Sequence, residues 1–184
     1  DLQSSEERVR RKTECRCDVL FVVTRPDPGG TREVLSLLRK ELRALGLQVA
    51  VVALYRGLGA RADIQELDCD ILVDREYLSM GGYLKAFFKL TRCVRAKRPA
   101  AVLSFMPAAN VMGALSAKIA GIRCRIACHH QTRTAQHVII RAIDRVLGDV
   151  GVYSQIIAVS QSVRDSFSGY PNEYQKRLRV IPNA

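Results

Sequence analysis

Seven apolar runs of strand length, at 18–23, 47–54, 70–73, 101–105, 124–129, 155–159 and 178–181, alternate along this chain with segments of helical period. That alternation is the pattern of a parallel α/β sheet, because each parallel strand must be reached by a crossover, usually a helix. Runs such as Val49-Ala-Val-Val-Ala-Leu54 and Gln155-Ile-Ile-Ala-Val159 are apolar almost throughout, as strands buried on both faces are. Helices are expected at 32–45, 83–97, 110–120, 135–147 and 162–167. Gly46, Pro99, Gly121 and Gly148 serve as the stops of the first four. The first helix gathers Val34, Leu35, Leu38, Leu42 and Leu45 on one face. The expected fold is a doubly wound, Rossmann-like parallel sheet over residues 18–184, with a polar tail or linker at 1–17. Ligands of such sheets sit beyond the C-terminal strand ends.

The first strand breaks into Thr24-Arg-Pro-Asp-Pro-Gly29-Gly30-Thr31 and leads directly into a helix. Backbone N–H groups at a helix start face one point, and glycine lets an anion approach them. The spacing is neither G-x-G-x-x-G nor a P-loop, so the glycines alone leave a ligand and a plain tight turn equally open. Polar residues collect at the other C-terminal strand ends as well: Phe105-Met106-Pro107, His129-His130-Gln131 and Ser160-Gln161. Convergence of several such loops makes a pocket. Ser160 fits a helix cap as well as a ligand contact. Asp144 and Asp149 fall on or beside a polar helix face and read as solvated charges rather than catalytic carboxylates.

The formal charge is +11 and the pI near 9.8, which calls for an acidic partner surface. The region 83–98 concentrates it: Lys85, Lys89, Arg92, Arg95, Lys97 and Arg98 occur there with no acidic residue. Such a helix packs Leu84, Phe87, Phe88 and Val94 at helical spacing. Its cations, Lys85, Lys89, Arg92 and Arg95 among them, are candidates for contact with an anionic leaflet. No run reaches the length needed to cross a bilayer and no secretory signal is visible. The expected location is therefore the cytoplasm, with peripheral attachment to the inner face of a membrane. The six cysteines lack paired C-x-x-C spacing and are expected to be reduced. Cys124, Cys128, His129 and His130 do not amount to a metal site, and none is expected. A nicotinamide oxidoreductase is disfavoured by the missing glycine fingerprint. A non-catalytic basic module binding anionic membrane or nucleic acid remains the alternative to an enzyme.

Taken in order, several segments resemble a known family. They are Gly29-Gly30-Thr-Arg-Glu-Val-Leu35, Arg98-Pro-Ala-Ala-Val-Leu-Ser104, Ala114-Leu-Ser-Ala-Lys-Ile-Ala-Gly-Ile122, a strand ending in histidine, Ile157-Ala-Val-Ser-Gln-Ser-Val-Arg164 and Val180-Ile-Pro-Asn183. This set is similar to the N-terminal domain of family 4, retaining, GT-B fold glycosyltransferases. Thr31-Arg32, Pro99-Ala100 and Ala184 depart from its usual residues, which leaves the fold unaffected. The resemblance implies a two-domain enzyme that moves a hexose-type unit from a nucleotide diphosphate sugar to an acceptor hydroxyl without a cofactor or metal. The acceptor can be lipid-linked, no nucleic acid is expected, and the donor binds mainly to a C-terminal domain that would follow Pro182. Carried over to this sequence, the catalytic candidates are His130 or its neighbour His129. The substrate-binding candidates are Gly29, Gly30, Thr31, Phe105, Met106, Asn110, Gln131, Arg133 and Ser160.

Overall fold

The computed structural model describes residues 16–26, 30–58 and 68–182. Its seven strands are all parallel: β1 (Val19–Val23), β2 (Val49–Tyr55), β3 (Cys69–Val73), β4 (Ala101–Phe105), β5 (Cys124–His129), β6 (Gln155–Ala158) and β7 (Leu178–Val180). They lie in the order β3-β2-β1-β4-β5-β6-β7. The order reverses between β1 and β4, which pair in register from Val19 with Ala101 to Val23 with Phe105. Crossovers leave to opposite faces on the two sides of that point, so a crevice opens above the strand ends there.

Helix α1 (Gly30–Ala44) covers one face. Beneath it lie Val19, Phe21, Val23, Val51, Phe105 and Cys128. The opposite face is covered by α2 (Met80–Lys97), α3 (Pro107–Ile119) and α4 (Val138–Asp149), with the short α5 (Gln161–Ser166) and α6 (Asn172–Arg177) beside them. Leu20, Val22, Leu54, Leu90 and Val94 form the core under α2 and α3, and Ala127, Tyr153, Ile156, Phe167 and Tyr174 form the one under α4 and α6. All five residues of β1 are buried. A side chain as large as Phe21 contributes about 2 kcal/mol by leaving water.

Several helix bounds differ from the sequence expectation, three of them for reasons that local geometry supplies. Helix α2 starts at Met80 because Ser79 caps it, its Oγ accepting from the Gly82 N–H at 3.2 Å. Helix α3 starts at Pro107, whose fixed φ and missing N–H suit a first helical position. Gly148 does not end its helix. It lies inside α4 where the Tyr174 ring presses on the backbone, and a Cβ there would fall inside van der Waals contact with that ring. The left-handed turn comes three residues later, at Gly151 with φ +71°. The six-residue α6 was not expected, being too short to display a helical period.

Candidate functional site

At the C-terminal edge of the sheet, Thr24 directly follows β1. Its buried Oγ1 accepts from the Ala109 N–H of α3 at 3.2 Å, tying the first loop to the helix across the switch point. Met106, at the end of β4, has φ +80° and ψ 147°. That region is almost reserved for glycine and costs a side-chain-bearing residue about 1–3 kcal/mol. Strain of this kind is held where the surrounding structure fixes a functional geometry, and here it falls beside the crevice. The extended ψ also satisfies the restriction that Pro107 places on the residue before it.

His129 and His130 separate at the end of β5 because successive strand residues face opposite sides. The His130 ring lies 5.9 Å from the Phe105 ring, on the α1 side. It lines an apolar groove of about 690 Å³ whose other walls include Gly30, Val34 and Leu38 of α1 and Ile157 and Val159 of the sheet. Its Nε2 is buried and has no hydrogen-bond partner among the described residues. Burial, with the neighbouring His129 second, holds the His130 pKa below its ordinary value of 6.5. The ring is therefore neutral near pH 7, able to donate from one nitrogen and accept at the other.

His129 goes into the core instead. It is 2% exposed, and both ring nitrogens are occupied. Gln136 Nε2 lies 3.2 Å from Nδ1, and the Tyr174 hydroxyl lies 3.1 Å from Nε2. Tyr174 gives its proton to Asp144 Oδ2 at 2.9 Å, and Tyr153 gives its own to Oδ1 at the same distance. The Tyr174 oxygen is thus free to accept, which assigns the His129 proton to Nε2 and leaves Nδ1 to accept from Gln136. Burial outweighs the attraction of Asp144 and lowers the His129 pKa. Burial also raises the Tyr153 and Tyr174 phenols well above the ordinary range. This corrects two expectations: His129 is a core residue bound on both sides, and Asp144, 1% exposed, is its buried anchor rather than a surface charge. Asp149 is exposed, as expected.

The remaining candidates divide. Gly30, Phe105 and His130 meet on one groove, while Gly29 lies outside the described residues. Asn110 is fully buried, its Nδ2 donating to the Cys128 carbonyl at 3.1 Å and its Oδ1 without a partner among the described residues. Gln131 is exposed, and Thr31 is half-buried in the first turn of α1. Arg133 turns away from the groove: its guanidinium sits 5.8 Å from the Tyr170 ring centre, and its N–H donates to Ser166 Oγ at 3.0 Å. Ser160 caps α5, Oγ accepting from the Val163 N–H at 3.2 Å. Of the membrane candidates, Lys85, Arg92 and Arg95 are exposed, and Lys89 Nζ donates to the Leu72 carbonyl at 2.8 Å. Among the described residues no three His, Cys, Asp or Glu side chains converge as a metal ion would need.

A seven-stranded parallel sheet whose order reverses between β1 and β4, with a groove beside α1, defines a Rossmann-like half of a GT-B fold. Solved structures share it. The Anabaena Alr3699/HepE protein in complex with UDP and glucose is 18% identical, with a TM-score of 0.71 over 92% of this chain and 45% of its own. The lipopolysaccharide outer core galactosyltransferase WaaB is 12% identical, with a TM-score of 0.70 over 90% and 45%. A UDP-GlcNAc 2-epimerase from Methanocaldococcus jannaschii is 14% identical, with a TM-score of 0.63 over 90% and 45%. At these identities the likeness is one of fold, and the epimerase among them means that fold alone does not choose the reaction. No curated protein matches the chain in sequence. The family model for glycosyltransferase family 4 matches residues 28–184, and the chain belongs to that family. It spans less than half the length of the solved structures it resembles.

Proposed function

We propose that this chain is the acceptor-side half of a retaining glycosyltransferase. In this reading the whole enzyme moves a hexose-type unit from a nucleotide diphosphate sugar to an acceptor hydroxyl, working at the cytoplasmic side of a membrane. The observation that carries the reading is the groove beside α1 that Gly30 and His130 share, in a chain of family 4. The N-terminus of α1 offers the positive end of a helix dipole, which suits the donor diphosphate. A neutral His130 with an unpartnered Nε2 suits a hydrogen bond to a hydroxyl of the transferred sugar or the acceptor. Its role is to orient the reacting groups, and no metal is invoked. Most of the donor site belongs to a second α/β domain of the same polypeptide, so the 184-residue chain by itself is inactive. The cations Lys85, Lys89, Arg92 and Arg95 suit a lipid-linked acceptor held at an anionic leaflet.

The test is to incubate the polypeptide carrying both domains with a panel of nucleotide diphosphate sugars and acceptors, reading products by mass spectrometry. The reading expects one nucleoside diphosphate released per glycoside formed, and no turnover by the 184-residue chain. Donors left intact by the two-domain polypeptide, or consumed by the single chain, would contradict it.

A further inference from the structure

Helix α4 exposes an apolar stripe to water as well as burying one side. Its inward side carries Asp144, Leu147 and Gly148, with Ile140 packed on the core, while Ile139, Ile143 and Val146, followed by Val150 just past its end, face out, with Ile139 61% and Val146 57% exposed. Their spacing of four, three and four residues places them in one stripe. Two helices away, α2 shows the same habit: Met80, Leu84 and Phe88, spaced by four, are 86%, 58% and 64% exposed. Both helices pack against α3 on the same side of the sheet. The two apolar ridges therefore flank one layer.

The charge on this layer has one sign over two of its three helices. Around Phe88 the outward positions of α2 are Lys85, Arg92 and Arg95, and α3 adds the exposed Lys118. Neither helix contains an Asp or Glu. On α4 the exposed carboxylate is Asp149. Aliphatic and aromatic side chains rising among cations are what an interfacial helix presents to anionic lipid. A second copy of the chain is a poorer occupant, since pairing the layer with itself would set Lys85, Arg92 and Arg95 against their own counterparts. No helix among the described residues is long and apolar enough to cross a membrane, so attachment here is by the face of a layer.

We propose that the outer surface of the α2–α3–α4 layer docks flat on an anionic bilayer, with Leu84 and Phe88 on one side and Ile139, Ile143 and Val146 on the other entering the headgroup region. This deepens the membrane part of the function proposed above. The sheet then runs parallel to the leaflet, one helix layer or about 10 Å above it. Its C-terminal edge, with His130, opens along the membrane surface.

Vesicle flotation of the 184-residue chain tests this, using phosphatidylcholine alone and phosphatidylcholine mixed with phosphatidylglycerol. Three variants separate the contributions: Phe88→Glu, Ile143→Glu with Val146→Glu, and Lys85→Glu with Arg92→Glu and Arg95→Glu. All the changed side chains are exposed, and a thermal melt checks that each variant is folded. The wild type is expected to float with anionic vesicles at low salt, far less with neutral ones, and each variant to lose about tenfold in binding. Absence of binding to anionic vesicles, equal binding to both, or full binding by either ridge variant would overturn the proposal. So would a wild-type dimer that Phe88→Glu dissociates, since a second copy would then occupy the surface. Sugar transfer without vesicle binding removes this surface and leaves the catalytic reading standing, whereas vesicle binding without transfer does the reverse.

Discussion

His129 and His130 are adjacent in the chain and serve opposite sides of the sheet. His129 closes a buried hydrogen-bonded chain from Gln136 to Tyr174 and Asp144, and His130 lines the groove beside α1. Their substitution should separate accordingly. His129→Ala leaves Gln136 Nε2 without its acceptor and the Tyr174 oxygen without its donor in the core, at a cost of about 2–4 kcal/mol. His130→Ala removes a side chain whose Nε2 bonds to nothing among the described residues, and should shift stability by less than about 1 kcal/mol. Urea unfolding of the two variants measures the difference, and equal losses would contradict the division.

Asp144 is held by two phenols, so the three residues are expected to act as a unit. Tyr153→Phe and Tyr174→Phe should each cost about 1–3 kcal/mol. The double variant should cost less than the sum, because both changes strip the same carboxylate. A double-mutant cycle on melting temperature reads the coupling directly, and strict additivity would mean that the two bonds are independent.

Gly148→Ala is expected to destabilise by about 1–3 kcal/mol, because the Tyr174 ring occupies the space a methyl group would need. Alanine is otherwise the better helix former by roughly 0.8–1 kcal/mol, so the sign is informative. A stabilised variant would show that Tyr174 can withdraw without loss.

Acid should weaken the fold through the histidines. Both have folded-state pKa values held below the ordinary 6.5, chiefly by burial. The unfolded chain therefore takes up protons first as pH falls through 6.5, and stability drops from there until the folded state protonates too. Above that range these two residues leave stability flat. His129→Asn, which cannot titrate, should be less stable than wild type at about pH 7.5 but should lose less between there and about pH 5.5. Urea midpoints at the two pH values check the slope, and parallel losses would exclude His129 as a source.

The strands were legible in the sequence because burial on both faces writes continuous apolar runs, as in Val49 to Leu54. The convergence of Gly30, Phe105 and His130 followed from parallel topology, which puts all C-terminal strand ends on one edge. The sequence left the two histidines open, and strand alternation only separates them: Cys128 and His130 share a face, and His129 takes the other. Asp144 was not legible, because its partners Tyr153 and Tyr174 are 9 and 30 residues away and its own helix has the charge pattern of a solvated one. The fourth helix starts at Val138 rather than 135 because Gln136 is tied down to His129, a contact no local propensity encodes. Position 29, on which part of the anion-site reading rested, lies outside the described residues.

The central claim is that His130 faces the reacting groups of a sugar transfer. It is tested most directly by the initial rate of glycoside formation in the two-domain polypeptide, comparing wild type with His130→Ala while melting curves are recorded on both. The expected result is a fall of about 100-fold or more, the usual cost of losing one preorganised hydrogen bond in such a site, with melting temperatures within about 3 °C of each other. Wild-type rates from a folded His130→Ala enzyme would contradict the account.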